Sequence, residues 1–191
     1  MELKEWLEKR EKPIAERWKA RVRSREEREG EEGPFLDAFM ETLVHFLPFC
    51  MGPDRECAEQ VWAQATHLFG SFALHRGLAA GEVVEELASL REEILKLLME
   101  DPPSLVGLRR SQMEMLALNR ALDQATVRAS VAYVDDLFFT YLQGSGVPQG
   151  MTSELEEEMS RQLQACKREL DGSRAGQGYV GPPGGYGGHE L

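Results

Sequence analysis

Apolar side chains recur every three or four residues along most of this chain, in stretches separated by glycine and proline, and that spacing predicts amphipathic helices. Leu3, Trp6, Leu7, Ile14, Trp18 and Val22 mark a narrow stripe on a charged helical segment interrupted near Pro13, expected to pack as a flap on the main body. Phe35, Leu36, Phe39, Met40, Leu43, Phe46 and Leu47 make a second helix between Pro34 and Pro48. A third starts near Pro53 and Asp54 and carries Ala58, Val61, Trp62, Ala65, Leu68, Phe69, Phe72 and Ala73 as far as Gly77. Val83, Val84, Leu87, Leu90, Ile94, Leu97 and Leu98 make a fourth, closed by Pro102 and Pro103.

From a Ser104 cap onward, Leu105, Leu108, Met115, Leu122, Ala129, Tyr133, Leu137 and Tyr141 keep helical phase with no proline before Pro148. Unbroken, this helix is about 55 Å long at about 1.5 Å per residue. That exceeds the side of a small bundle, so it either bends near Gly107 or pairs with a second copy of itself. Pairing is the expectation, with Leu122, Ala129, Tyr133, Leu137 and Tyr141 as the candidate dimer or signalling face. After a linker containing Gly144, Gly146, Pro148 and Gly150, Ser153 and Glu156 fit a capping box. The short helix that follows repeats Leu155, Met159, Leu163, Cys166 and Leu170, a seam narrow enough to want a partner helix; Leu155, Met159, Leu163 and Leu170 form the candidate docking seam.

The fold expected is all-α, a helical bundle with a long last core helix, a separate short C-terminal helix and a disordered Gly-rich tail. The expected division is a charged helical segment over 1–33, a sensory or docking core over 34–143, a linker over 144–152, the C-terminal helix over 153–171 and the Gly/Pro/Tyr tail over 172–191.

Composition narrows the function classes. At 191 residues the chain suits one domain with appendages. No apolar run approaches the roughly 18 residues of a membrane span, so no membrane insertion is expected. The charged N-terminus is unlike a secretory signal, and three sparse cysteines do not make a disulfide framework; both point to the cytoplasm. A net charge of −11 disfavours a phosphate backbone as partner, so no nucleic acid is expected. The one basic run, Arg17, Lys19, Arg21, Arg23, Arg25 and Arg28, reads as a solvated helix face.

The residue patterns of the common catalytic sites do not occur in the sequence. The histidines lack the three- or four-residue spacing that aims two ligands at one ion, and Cys50 and Cys57 are not a Cys-x-x-Cys clip. There is no phosphate-binding glycine loop and no nucleophile elbow, while Asp135 and Asp136 point about 100° apart on a helix. His45 lacks the flanking residues of a phosphoacceptor box and reads as an ordinary helix residue. Met113, Met115, Tyr133, Phe138, Phe139 and Tyr141 read as core more readily than as a cofactor box, with part of that face free for a seam or pocket wall. The expectation is a protein that is not an enzyme and needs no cofactor or metal.

The runs Leu74-His75-Arg76-Gly77-Leu78, Val83-Val84-Glu85-Glu86-Leu87 and Leu90-Arg91-Glu92-Glu93-Ile94-Leu95 resemble the RsbRD N-terminal domain family. That family supplies sensory domains of RsbT co-antagonist proteins of the bacterial stressosome and also stands in front of histidine kinases. Leu118-Asn119-Arg120-Ala121-Leu122-Asp123-Gln124-Ala125 and Ser130-Val131 are similar to its long last helix, and the resemblance covers about two thirds of the chain, from Trp18 to Leu142. It implies a globin-like helical domain without haem that dimerises and passes a signal along its last helix. No STAS or kinase sequence follows within these residues, so the expected role is the input half of a signalling protein: a stress-response sensor working as a homodimer through ligand or partner binding and helix repacking. Protein partners are expected, and a small-molecule ligand is compatible with this role. The alternatives are a docking or assembly subunit acting through the C-terminal helix and tail, and a haem-binding globin-like sensor with His45, His67 or His75 as axial ligand.

Overall fold

The computed structural model describes residues 2–24, 33–51, 55–103, 108–144 and 150–176. These form seven α-helices and no strand: α1 (Leu3–Glu8), α2 (Glu11–Arg23), α3 (Gly33–Phe46), α4 (Arg55–His75), α5 (Ala80–Glu100), α6 (Leu108–Leu142) and α7 (Ser153–Gly176), with a 3-10 turn at Leu47–Met51 after α3. The all-α reading therefore stands. The Ser104 cap, the Gly107 bend, linker residues 145–149, Arg25, Arg28 and the tail from 177 onward lie outside the described residues.

Local chemistry sets the breaks. In an uninterrupted helix the ring of Pro13 would clash with the carbonyl of Lys9, four residues back, so α1 stops before Lys9 and α2 starts at Glu11 with Pro13 in its first turn. Past His75, Gly77 adopts a left-handed φ of 75°. The N–H of Leu78 then reaches the Ala73 carbonyl and that of Gly77 the Leu74 carbonyl, the paired bonds of a Schellman stop. The next helix starts where the Glu82 carboxylate reaches back to accept the Ala79 N–H at 2.6 Å. A single hydroxyl cap one residue earlier stands where the capping box of Ser153 and Glu156 was foreseen. Thr152 is the cap, its hydroxyl accepting the Leu155 N–H at 3.3 Å.

The centre of the bundle is α4, which buries residues on almost every side, as a helix surrounded by others must. It packs most extensively on α6 and also on α7, α3 and α5; α2 bridges α3 and α5, and α1 lies on the 3-10 turn and α6. Phe35, Phe39, Phe69, Phe72 and Trp18 meet between α2, α3 and α4 with ring centroids 5.0–5.9 Å apart. All three tryptophans are fully buried, and each indole N–H donates at 2.8 Å to a backbone carbonyl of a distant segment: Trp6 to Asp101, Trp18 to Glu86 and Trp62 to Ala121. Such bonds let a large ring enter the core without an orphaned donor.

The N-terminal segment is thus more than a flap, since Leu3, Trp6, Leu7, Ile14, Trp18 and Val22 all belong to the main core. Its basic run is paired rather than simply solvated. Arg17 grips Glu100 with two bonds of 2.9 and 2.7 Å, Arg21 faces Glu92 at 3.6 Å, and Arg23 bonds Asp37, so α2 is tied to both α5 and α3. Burial alone would lower the Lys19 pKa, but hydrogen bonds to Glu41 and Glu16 outweigh it and hold it raised. The C-terminal helix runs on to Gly176, past the expected end at 171, and lies against α4 and α3 instead of standing apart.

Candidate functional site

The two apolar stripes of α6 point in opposite directions. Leu118, Ala121, Leu122, Ala125, Ala129, Ala132 and Tyr133 are buried in the chain's own core, and the Tyr133 hydroxyl donates to the Leu78 carbonyl at 2.7 Å. Roughly 180° away, by the helical turn of about 100° per residue, lie Val127, Val131, Val134 and Phe138, with Tyr141 and Leu142 beside them. These face solvent: Val127 is 60% exposed, Phe138 57% and Tyr141 79%. Singly scattered apolar residues are ordinary on a protein surface, whereas these stand in one contiguous row.

This geometry corrects the expected dimer face. Of the five residues named for it, Leu122, Ala129 and Tyr133 are sealed against neighbouring helices and cannot reach a second copy, Leu137 is half-buried against the same core, and only Tyr141 projects outward. The stripe through Leu122 and Ala129 faces the core, and the valines lie behind it. The signal was present, because Val127, Val131, Val134 and Phe138 repeat at four, three and four. Phe138 and Phe139, read as core, are exposed as well, and so is Met113, whereas Met115 is half-buried.

The docking seam is corrected on the same grounds. Met159, Leu163, Cys166 and Leu170 are buried and Leu155 is half-buried in the common core, because α7 packs on α4 of its own chain. The partner helix that the seam called for is internal.

A concavity of about 660 Å³ lies between α2, α3 and α7, large enough for a small molecule. Its apolar floor includes Ala15, Phe46 and Leu170, and its rim mixes Lys12 and Lys167 with Glu11, Glu16, Glu41 and Asp171. Much of that charge is already engaged. Glu11 lies 3.0 Å from Nδ1 of His45, while Glu16 and Glu41 hold Lys19.

The other chemistry-bearing residues are dispersed. His67 is exposed on α4, His75 half-buried at its end, and His45 sits edge-on to Phe49 with centroids 5.6 Å apart. Asp135 is exposed and Asp136 half-buried. Among the described residues no three His, Cys, Asp or Glu side chains converge as a metal site would need, and no helix is long and apolar enough to cross a membrane.

The cysteines are free thiols. Cys50 is packed between the carbonyls of Phe46 and Ala58, each 3.9 Å from its sulfur, and burial pushes its pKa up to about 12; burial raises Cys166 as well. At pH 8 a thiol of that pKa is ionised to roughly one part in ten thousand. Iodoacetamide at pH 8 is therefore expected to label half-buried Cys57 in the native protein and to reach Cys50 and Cys166 only in urea. Peptide mass spectrometry would show otherwise if Cys50 reacted as fast as Cys57 before unfolding.

Comparison with known proteins finds no family model, no curated protein and no solved structure that matches this chain.

Proposed function

We propose that the chain is a non-catalytic signalling or regulatory module of the kind that RsbRD N-terminal domains supply, working as a homodimer whose helix packing answers to ligand or partner binding. The observation that carries this reading is the exposed apolar row on α6, behind the face that the same helix gives to the core. A helix apolar on both sides has a second packing surface to fill. Because α6 also lines the core against α4 and α5, a change in what covers its outer face is felt inside the bundle, which is how differential affinity for two packings becomes a switch. The cleft between α2, α3 and α7 offers room for a small ligand. A docking subunit acting through the α7 seam is less well supported, because α4 covers that seam.

Light scattering over a range of concentrations tests the dimer. The wild-type chain is expected to reach twice its monomer mass, and Phe138→Glu to return it to the monomer with unchanged helical circular dichroism. A wild-type protein that stays monomeric at high micromolar concentration removes this reading.

A further inference from the structure

The outer face of α6 carries more than apolar area; it carries a register. Gln124, Val127, Val131, Val134, Phe138 and Tyr141 succeed one another at three, four, three, four and three residues. That strict alternation is the seam of two helices packed side by side, narrower than the stripe by which a helix joins a globular core. Along one flank stand Arg128 and Asp135, seven residues apart, both exposed and neither in an ion pair among the described residues. On the other flank Asp123 is already bonded to Arg91 of α5. The occupant this face fits is a second α6.

Resting on the dimer reading above, we infer that two copies of the chain pair through α6 in antiparallel orientation, with Arg128 of each copy facing Asp135 of the other. The register follows from the sequence of the seam. If Val131 lies across from the second copy's Val134, then Val127 meets the second copy's Phe138, Gln124 meets its Tyr141, and Arg128 and Asp135 come level. Two-fold symmetry makes that ion pair twice. Sliding one helix by a heptad in either direction sets Arg128 against Arg128 or Asp135 against Asp135, which like-charge repulsion penalises. A parallel pair is disfavoured too, because Arg120, seven residues before Val127 on the same seam, would face its own copy. In the antiparallel register Arg120 lies opposite a position beyond Leu142, where α6 has ended.

The area agrees with a reversible dimer. Half-exposed side chains of this size each carry on the order of 100 Å² of surface. Six of them from each copy bury at most about 1,200 Å² in all, the low end of stable interfaces, which makes the two ion pairs a deciding contribution to orientation.

The test uses the full chain with Arg128→Asp and Asp135→Arg, two exposed substitutions that leave the core untouched. Each variant alone places like charges level at both symmetric positions and is expected to weaken self-association at least about tenfold. Mixing the two variants one to one restores opposite charges at both positions, so dimers of mixed composition are expected to form about as well as wild-type dimers, and the double variant Arg128→Asp/Asp135→Arg to dimerise alone. Sedimentation of differently labelled copies reads all four. A wild-type dimer whose single variants associate undiminished, or whose mixture stays dissociated, overturns the antiparallel register and leaves the dimer standing. A wild-type monomer overturns the dimer itself.

Discussion

Replacing Gly70 with alanine is expected to destabilise the protein by about 3 kcal/mol or more, although helix propensity alone predicts a gain of about 1 kcal/mol for the same change. The sign is decided by one contact. Gly70 sits in the interior of α4 where the backbone of α6 passes over it, and an added Cβ would come within 2.7 Å of the Cα and carbonyl carbon of Ala129 and nearer still to its oxygen. No rotamer relieves such an overlap, since both atoms belong to backbones. The two helices would have to separate, loosening the largest contact in the bundle and with it the Trp62 bond to Ala121. Gly81 is the control: it lies in the first turn of α5 with open space around it, and Gly81→Ala is expected to stabilise by a few tenths to about 1 kcal/mol. Urea midpoints of the two variants, shifting in opposite directions, check the crossing. A stabilised Gly70→Ala protein would mean that α4 and α6 do not approach as described.

The second large effect is expected at the Arg76–Glu86 pair. Arg76, at the end of α4, donates to both carboxylate oxygens of Glu86 in α5 at 3.0 and 2.9 Å, with the two side chains only 3% and 7% exposed. The guanidinium also lies over the Phe72 ring, 5.5 Å from its centroid. Removing one member of a buried pair leaves the other desolvated, so Glu86→Ala is expected to cost about 3–5 kcal/mol. Replacing both with apolar residues of similar volume, Arg76→Met with Glu86→Leu, is expected to cost less than either single alanine variant, because no charge is then stranded. A double-mutant cycle of Arg76→Met, Glu86→Leu and the two together, by urea denaturation, measures the coupling. Additive losses would show that the pair is wetter and weaker than its burial indicates.

How much of this was legible beforehand varies by residue. Gly77, Pro13 and the pair Pro102–Pro103 announce helix ends through their own backbone chemistry, and the breaks fall beside them. The role of the N-terminal bases was not legible. Arg17, Lys19, Arg21 and Arg23 look like a solvated face until Glu100, Glu41, Glu92 and Asp37 arrive from other helices, which no local spacing encodes. The α7 seam is intermediate, since its period asks for a partner helix and only packing says that the partner is α4.

The candidate surface on α6 shows the division most clearly. A long helix after Ser104 with one apolar stripe through Tyr141 is legible in the residues alone, because a 3.6-residue period and the absence of proline are local properties. Which side turns inward was decided by the tertiary structure. Leu118, Leu122 and Ala129 on one face and Val127, Val131 and Phe138 on the other are equally apolar in one dimension, and the choice between them rests on small residues meeting at Gly70 and Ala129, where two backbones can approach closely only if α6 presents its alanines. That one crossing sends the valines outward and, with them, the surface on which the proposed function depends.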